Sequence, residues 1–151
     1  MEFEHLVQVN DLDRHDITDL SRGQLWQGLL ARAHEPDQFI VGLDHFELLE
    51  VREDYLMRRL YLPGLTVEDE VWLSHQEQVQ YRIRPSADTP GGSLTMRIEE
   101  PQPGALFVRF CYATEHHLQA DDSIPYDEFV RQAYIAADVD TIRLIRERFA
   151  G

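Results

Sequence analysis

The chain has 151 residues, which suits one domain over residues 1–151 with a sizeable core. Its net charge of −14, with arginine as the only basic residue type apart from histidine, excludes nucleic acid and anionic membrane surfaces as expected partners, because an acidic surface repels phosphate. The single cysteine excludes an internal disulfide framework, and no apolar run reaches the roughly 18 residues of a membrane span, so we expect a cytoplasmic protein without membrane insertion.

The first forty residues predict one strand followed by two short helices. Phe3 to Val9 alternates with the period of two that a strand requires. Leu20 to Ala33 carries apolar residues at helical spacing, and either Ser21 or Asp19 supplies the helix cap. A second short helix is predicted over Asp37 to Val41.

The middle of the chain predicts six strands, because turn signals recur about every ten residues, as they do in an antiparallel meander. The predicted strands are Phe46 to Val51, Tyr55 to Leu62, Leu65 to Leu73, Val79 to Arg84, Leu94 to Glu99 and Ala105 to Ala113. An acidic loop, Glu115 to Asp122, then leads to the last element.

The last element is predicted as one long helix over Pro125 to Phe149, about 37 Å long. One stripe at helical spacing is expected to face the sheet: Tyr126, Val130, Ala133, Ala137, Thr141 and Leu144. The middle of this stripe is small. Small side chains facing a sheet leave space, so the stripe predicts a cavity between helix and sheet.

The opposite side of the long helix also carries apolar residues, at Ile135, Val139, Ile142 and Phe149. Either the short helix with Trp26 covers this side, or a second subunit does. We expect partial cover together with some self-association, as a homodimer.

These elements predict an α+β fold. A seven-stranded antiparallel sheet has one face to bury, and the C-terminal helix is the only long apolar stripe available to bury it. We therefore expect a curved sheet wrapped around a long C-terminal helix, with the two short helices after the first strand closing one end.

Four stretches carry a family resemblance: FEHLVQVN (3–10), QLWQGLLARA (24–33), GGSLTMRIEEP (91–101) and AYIAADVDTIRLIRE (133–147). Together they resemble the AtaL-like family, a branch of the START and birch-pollen-allergen (SRPBCC) superfamily with the helix-grip fold. The resemblance implies a deep pocket between sheet and helix, in a superfamily that binds lipids, hormones and polyketides or catalyses cyclisation. It carries no catalytic residue onto this chain.

The Pro63-Gly64 turn places two charged residues opposite each other. If these two residues form the loop, cross-strand partners sum to 127, and Arg58 faces Asp69 within an otherwise Leu/Val face. The pair could bind a ligand carboxylate, enolate or phenolate through the guanidinium fork. Two alternatives remain open: a purely structural ion pair, or a register error by one residue that turns both side chains to solvent.

Other residues are expected to face the cavity from the same alternation and helical spacing. They are His5, Tyr81, Met96, Phe110, Tyr112, Tyr134, Ala137 and Thr141. Tyrosine hydroxyls can orient a ligand oxygen, although core aromatics whose hydroxyl reaches water or backbone are the more common case. His5 could act as a general base, but a lone histidine in a strand is more often structural.

No motif predicts a metal or a cofactor, and we expect neither. His116-His117 with Asp121-Asp122 lacks zinc-ligand spacing and suits a solvated acidic loop. Gly91-Gly92-Ser93 precedes a strand, so it lacks the helix N-terminus that binds phosphate.

Three functions follow. The leading one is a domain that binds a small hydrophobic or polyketide-like ligand between sheet and C-terminal helix. The alternative is a cyclase or aromatase that uses His5 or Asp69 as base and Arg58 to stabilise an enolate. The third is a non-catalytic interaction module with a packed interior.

Overall fold

The computed structural model describes the backbone of residues 1–114 and 123–150, and the side chains of these except for residues 123–127. The strands are β1 (Glu2–Gln8), β2 (His45–Arg52), β3 (Tyr55–Leu62), β4 (Leu65–Ser74), β5 (Gln78–Ile83), β6 (Gly92–Glu99) and β7 (Phe107–Thr114). The helices are α1 (Arg22–His34) and α2 (Ser123–Phe149), and a single 3-10 turn spans Pro36–Gln38 where a second short helix was expected.

The strands form one antiparallel sheet in the order β1-β7-β6-β5-β4-β3-β2. Consecutive strands from β2 to β7 are neighbours, and β1 joins the far edge beside β7. The sheet curves around α2, and α1 packs against both. This is the helix-grip arrangement, so the predicted α+β class is confirmed.

The β3–β4 hairpin has the predicted register. Leu62 pairs with Leu65, which leaves Pro63 and Gly64 as the two loop residues. Proline presets its own φ, and Gly64 adopts a φ of +72°, a conformation that a residue with a Cβ rarely takes. The register that follows places Arg58 opposite Asp69.

Helix α1 begins at a capping box, in which Ser21 and Gln24 each accept a hydrogen bond from the other's backbone N–H. Gly28, the seventh residue of the helix, lies directly against α2. A Cβ at this position would overlap the side chain of Ile145. A residue without a side chain therefore lets the two helices approach closely.

Helix α2 is rotated by about a quarter of a turn from the predicted orientation. Among its described side chains, the buried ones are Asp138, Thr141, Ile142 and Ile145, whereas Ala133 and Ala137 are exposed. Two isoleucines bury more apolar area than the alanines would, and the buried carboxylate of Asp138 has hydrogen-bond partners on the sheet. The expectation of a cavity beneath small residues of α2 was therefore wrong about which residues face inward.

The same rotation changes the predicted apolar back of the helix. Ile142 is buried in the core, and Val139 is half exposed. Trp26 of α1 packs within the core cluster. The homodimer stays a prediction. Among the described residues, no helix combines the length and apolar character needed to cross a membrane.

Candidate functional site

A cavity of about 200 Å³ lies between the sheet and the two helices. Its lining comes from every strand from β3 to β7, from both helices and from the segments that follow α1 and β5. The lining residues are Arg32, Ile40, Arg58, Leu60, Asp69, Tyr81, Ile83, Gly91, Gly92, Ser93, Leu94, Tyr112, Thr114 and Tyr134.

The strand wall of the cavity consists of two neighbouring rows across the sheet. One row runs through Leu56, Val71, Tyr81, Leu94 and Tyr112, and the next through Arg58, Asp69, Ile83, Gly92 and Thr114. Gly92 has a φ of +149°, and a Cβ there would lie 2.9 Å from the carbonyl oxygen of Ala113. Close backbone packing thus requires glycine, and the second row has no side chain at this point.

Arg58 and Asp69 form a buried ion pair in this wall, with 1% and 3% of their surface exposed. Arg58 Nε and Nη2 donate to the two carboxylate oxygens at 2.8 and 2.6 Å, and Nη1 donates to the carbonyl oxygen of Ala33 at 2.9 Å. Burial by itself would lower the pKa of Arg58, but the bonds to Asp69 and its charge outweigh burial and raise it. Arg58 therefore joins β3 to β4 and to the last turn of α1.

Arg32 and Tyr81 differ from this pair, because each has a buried polar atom without a hydrogen-bond partner. These atoms are Arg32 Nε and the Tyr81 hydroxyl oxygen. The Arg32 guanidinium carbon lies 4.9 Å from the centre of the Tyr81 ring, and that of Arg58 lies 5.1 Å from it. A buried polar group without a partner costs about 1–3 kcal/mol, so such atoms beside a cavity point to a missing partner.

A hydrogen-bonded network lies behind the β7 side of the cavity. The Tyr112 hydroxyl lies 2.7 and 2.8 Å from the two carboxylate oxygens of Asp138, and His5 Nε2 lies 2.6 Å from Oδ2. Burial raises the pKa of Asp138, although its bonds to Tyr112 and His5 oppose the effect. Burial and the charge of Asp138 raise the pKa of Tyr112, so its phenol keeps its proton at neutral pH.

An aromatic stack completes this side of the cavity. The rings of Tyr112 and Tyr134 are parallel within 6° with centres 4.0 Å apart. His5 stacks on Phe3 and Phe110 beneath them. Both tyrosine rings line the cavity, so the stack adds aromatic surface to its wall.

Five of the ten residues proposed from the sequence line the cavity: Arg58, Asp69, Tyr81, Tyr112 and Tyr134. Met96 and Phe110 are fully buried in the core, and His5 is held against Asp138. Thr141 donates its hydroxyl to the Ala137 carbonyl, within its own helix. Ala137 is exposed, so its predicted inward position was wrong. Ligand binding by any of these residues stays a prediction.

Two residues of this site, Arg32 and Asp138, were missed in the sequence. Arg32 follows Leu25 by seven positions and Leu29 by three, which places it on the buried face of α1. Asp138 lies four residues before Ile142 and seven before Ile145 on the buried face of α2. A charged residue within an apolar helical stripe was the available signal in both cases.

Within the described part of the chain, no group of three or more potential metal ligands comes together. His116, His117, Asp121 and Asp122 lie outside the described residues.

Several solved structures share this fold. The Zhui aromatase/cyclase from Streptomyces sp. R1128 is 19% identical with a TM-score of 0.67, over 98% of this chain and 94% of that one. The di-domain ARO/CYC StfQ from the steffimycin biosynthetic pathway is 9% identical with a TM-score of 0.68, over 97% of this chain and 49% of that one. Ara h 8.0201 is 12% identical with a TM-score of 0.59, over 96% and 97%.

At these identities the likeness shows a shared fold and nothing about activity. Among curated proteins, none matches the chain in sequence. The family AtaL, described as acetylaranotin biosynthesis cluster protein L, matches residues 7–151. Because this match spans nearly the whole chain, the protein belongs to the AtaL family.

Proposed function

We propose that the protein binds a small, ring-containing molecule of polyketide type in the cavity between sheet and helices. The observation that carries the proposal is a partly enclosed cavity of about 200 Å³ between sheet and helices with a largely apolar and aromatic lining. Membership of a family named after a biosynthetic cluster supports a small-molecule ligand. The polyketide class is proposed by analogy with the aromatase/cyclases that share the fold.

The size of the cavity limits the ligand. A cavity of about 150 Å³ accommodates benzene, whereas sites for drug-sized molecules begin at about 300 Å³. A volume near 200 Å³ therefore suits one ring or two fused rings. The flat stack of Tyr112 and Tyr134 favours an aromatic or enolic ring over an acyl chain.

Thermal shift and native mass spectrometry with one-, two- and three-ring aromatic probes test this proposal. A ligand at a hundred times its Kd stabilises the fold by about 2.7 kcal/mol, which corresponds to a Tm increase of about 5–10 °C for a chain of this length. One- and two-ring probes should raise Tm and co-migrate with the protein, and three-ring probes should do neither.

A matched pair of variants tests whether the probes bind in the cavity. Leu94→Trp fills the cavity and should abolish the shift. Thr95→Trp adds the same ring at the next residue of β6, which points to the other face of the sheet, and should retain the shift. Equal shifts for both variants, or no shift for the wild type with any probe, would count against cavity binding.

A second candidate function is cyclisation, which the network of Tyr112, Asp138 and His5 favours. In such a reaction, the Tyr112 oxygen would take a proton from a carbon between two carbonyl groups while its own proton passes to Asp138. The resulting enolate carbon would attack a second carbonyl of the substrate and form the new C–C bond. The alkoxide would then take a proton from Tyr112, and Asp138 would return its proton to the Tyr112 oxygen. The bases considered from the sequence are less suited, because Arg58 occupies both oxygens of Asp69 and His5 does not line the cavity.

Parallel measurements of binding and turnover with a small poly-β-ketone separate the two functions. For a cyclase, Tyr112→Phe should remove turnover and keep ligand binding within about threefold, since the ring stack remains. Binding and turnover are also measured for Arg58→Ala and His5→Ala. A wild-type protein that binds the probe and releases it unchanged would leave binding as the function.

A further inference from the structure

We propose that the ligand carries an acidic oxygen that is anionic at neutral pH, and that Arg32 and Tyr81 bind it together. This inference rests on the proposed function and adds the chemical class of the ligand. The two polar atoms that lack partners at the cavity, Arg32 Nε and the Tyr81 hydroxyl, belong to side chains already in contact, so one ligand group could reach both.

Arg58 and Tyr112, which also line the cavity, already have partners. Arg58 donates three hydrogen bonds, to both oxygens of Asp69 and to the Ala33 carbonyl. The Tyr112 hydroxyl donates to Asp138. Among the described cavity residues, Arg32 and Tyr81 are the two with a buried polar atom that lacks a hydrogen-bond partner.

The charge of Arg32 is also left without a direct partner. No carboxylate among the described residues lies within 4.0 Å of its guanidinium. Asp69 is neutralised by Arg58, and the oxygens of Asp138 accept from Tyr112 and His5. The cavity lining thus carries two arginines and one aspartate in a chain whose net charge is −14.

An anionic ligand oxygen completes this arrangement. A guanidinium and a phenol hydroxyl can donate to the same carboxylate, enolate or ionised phenol, and a charge-assisted bond is the stronger kind. The contact between the Arg32 guanidinium and the Tyr81 ring holds the cation in place before the ligand arrives. The apolar remainder of the ligand would then lie against the aromatic stack.

Calorimetric titration of the full chain with matched probes tests this inference. 2-Naphthoate provides a carboxylate, 2-naphthamide is its neutral counterpart of the same shape, and the enolate of indane-1,3-dione provides a non-carboxylate anion. We expect at least one anion to bind about ten- to a hundredfold more tightly than the amide. Tighter binding of 2-naphthoate indicates a carboxylic acid as the ligand, and tighter binding of the indane-1,3-dione enolate indicates an enol.

The variants Arg32→Gln and Tyr81→Phe should abolish most of this preference, and Arg32→Lys should retain part of it. Arg82→Gln is the matched control, because it removes an exposed arginine next to Tyr81 on the outer face of β5. Equal affinity for anion and amide in the wild type would overturn the inference and leave the proposed function intact. Absence of binding by all three probes would count against both. The wild-type comparison needs no variant, so a variant that fails to fold does not remove the test.

Discussion

Replacing Arg58 by methionine is expected to be among the most destabilising substitutions in the sheet. The change keeps an unbranched apolar stem and removes the guanidinium with its charge, which leaves the Asp69 carboxylate buried with 3% of its surface exposed and no cation beside it. Breaking a buried ion pair from one side costs about 3–5 kcal/mol of unfolding free energy. For a chain of this length, that loss corresponds to a fall in Tm of about 6–20 °C.

The double variant Arg58→Met/Asp69→Leu separates the cost of an unpaired charge from the net value of the pair. Removing both charges should recover most of the loss, because a buried pair often contributes little relative to apolar residues. The carbonyl of Ala33 would still lack the bond from Nη1. The double variant should therefore remain about 1–3 kcal/mol below the wild type.

The adjacent rung of the same hairpin supplies the control. Arg59 and Glu68 form an equally short pair at 2.6 Å on the other face, where about a third of each side chain is exposed. Water and salt screen such a pair, so Arg59→Met should change Tm by no more than about 2 °C. Urea or thermal unfolding followed by circular dichroism measures all variants at pH 7. If Arg58→Met lowers Tm no more than Arg59→Met does, burial does not explain the cost of losing the Arg58 charge.

Three further predictions concern other parts of the chain. Gly28→Ala should lower Tm because a methyl group would overlap Ile145, with overpacking worth about 1–3 kcal/mol. Gly23→Ala on the same helix places the methyl group at ordinary van der Waals distance from its neighbours and should leave Tm unchanged or slightly raised; equal effects would contradict the packing argument. Burial raises the pKa of Asp138, so folding favours its protonated form, and this contribution to stability is lost as pH rises through the pKa of the folded state. The difference in Tm between the wild type and Asp138→Asn should therefore shift in favour of the wild type from pH 8 to pH 5. A difference that stays constant with pH would argue against a perturbed carboxyl. Burial raises the pKa of the Cys111 thiol, so iodoacetamide should modify it more slowly than glutathione at pH 7.5, and an equal or faster rate would show an accessible thiolate.

The register of the β3–β4 hairpin was predictable because local chemistry decides it. Proline and glycine specify the turn, and the alternation of side chains then sets every cross-strand partner of the hairpin. The pairing of Arg58 with Asp69 followed from these two facts alone. The capping of α1 by Ser21 was likewise a local property.

The orientation of α2 could not be predicted in the same way. Several faces of this helix carry apolar residues, so the helical period alone did not select one. The choice depended on partners far along the chain: Gly28 leaves room for Ile145, and the hydroxyl of Tyr112 meets the carboxylate of Asp138. The face that was predicted to lie against the sheet, which carries Ala133 and Ala137, is exposed instead.

The sequence by itself determined the order of the elements, the antiparallel meander and the cross-strand pairing of Arg58 with Asp69, because these depend on turns, caps and alternation over a few residues. Tertiary structure alone decided which helical residues reach the cavity. Arg32 and Tyr81 are 49 positions apart, and only the packing of α1 across the curved sheet brings their unpartnered polar atoms to one cavity. Whether a polar atom is buried, and whether it has a hydrogen-bond partner, depends on residues that are distant in the sequence. The polar residues of the site could therefore not be predicted from local sequence pattern.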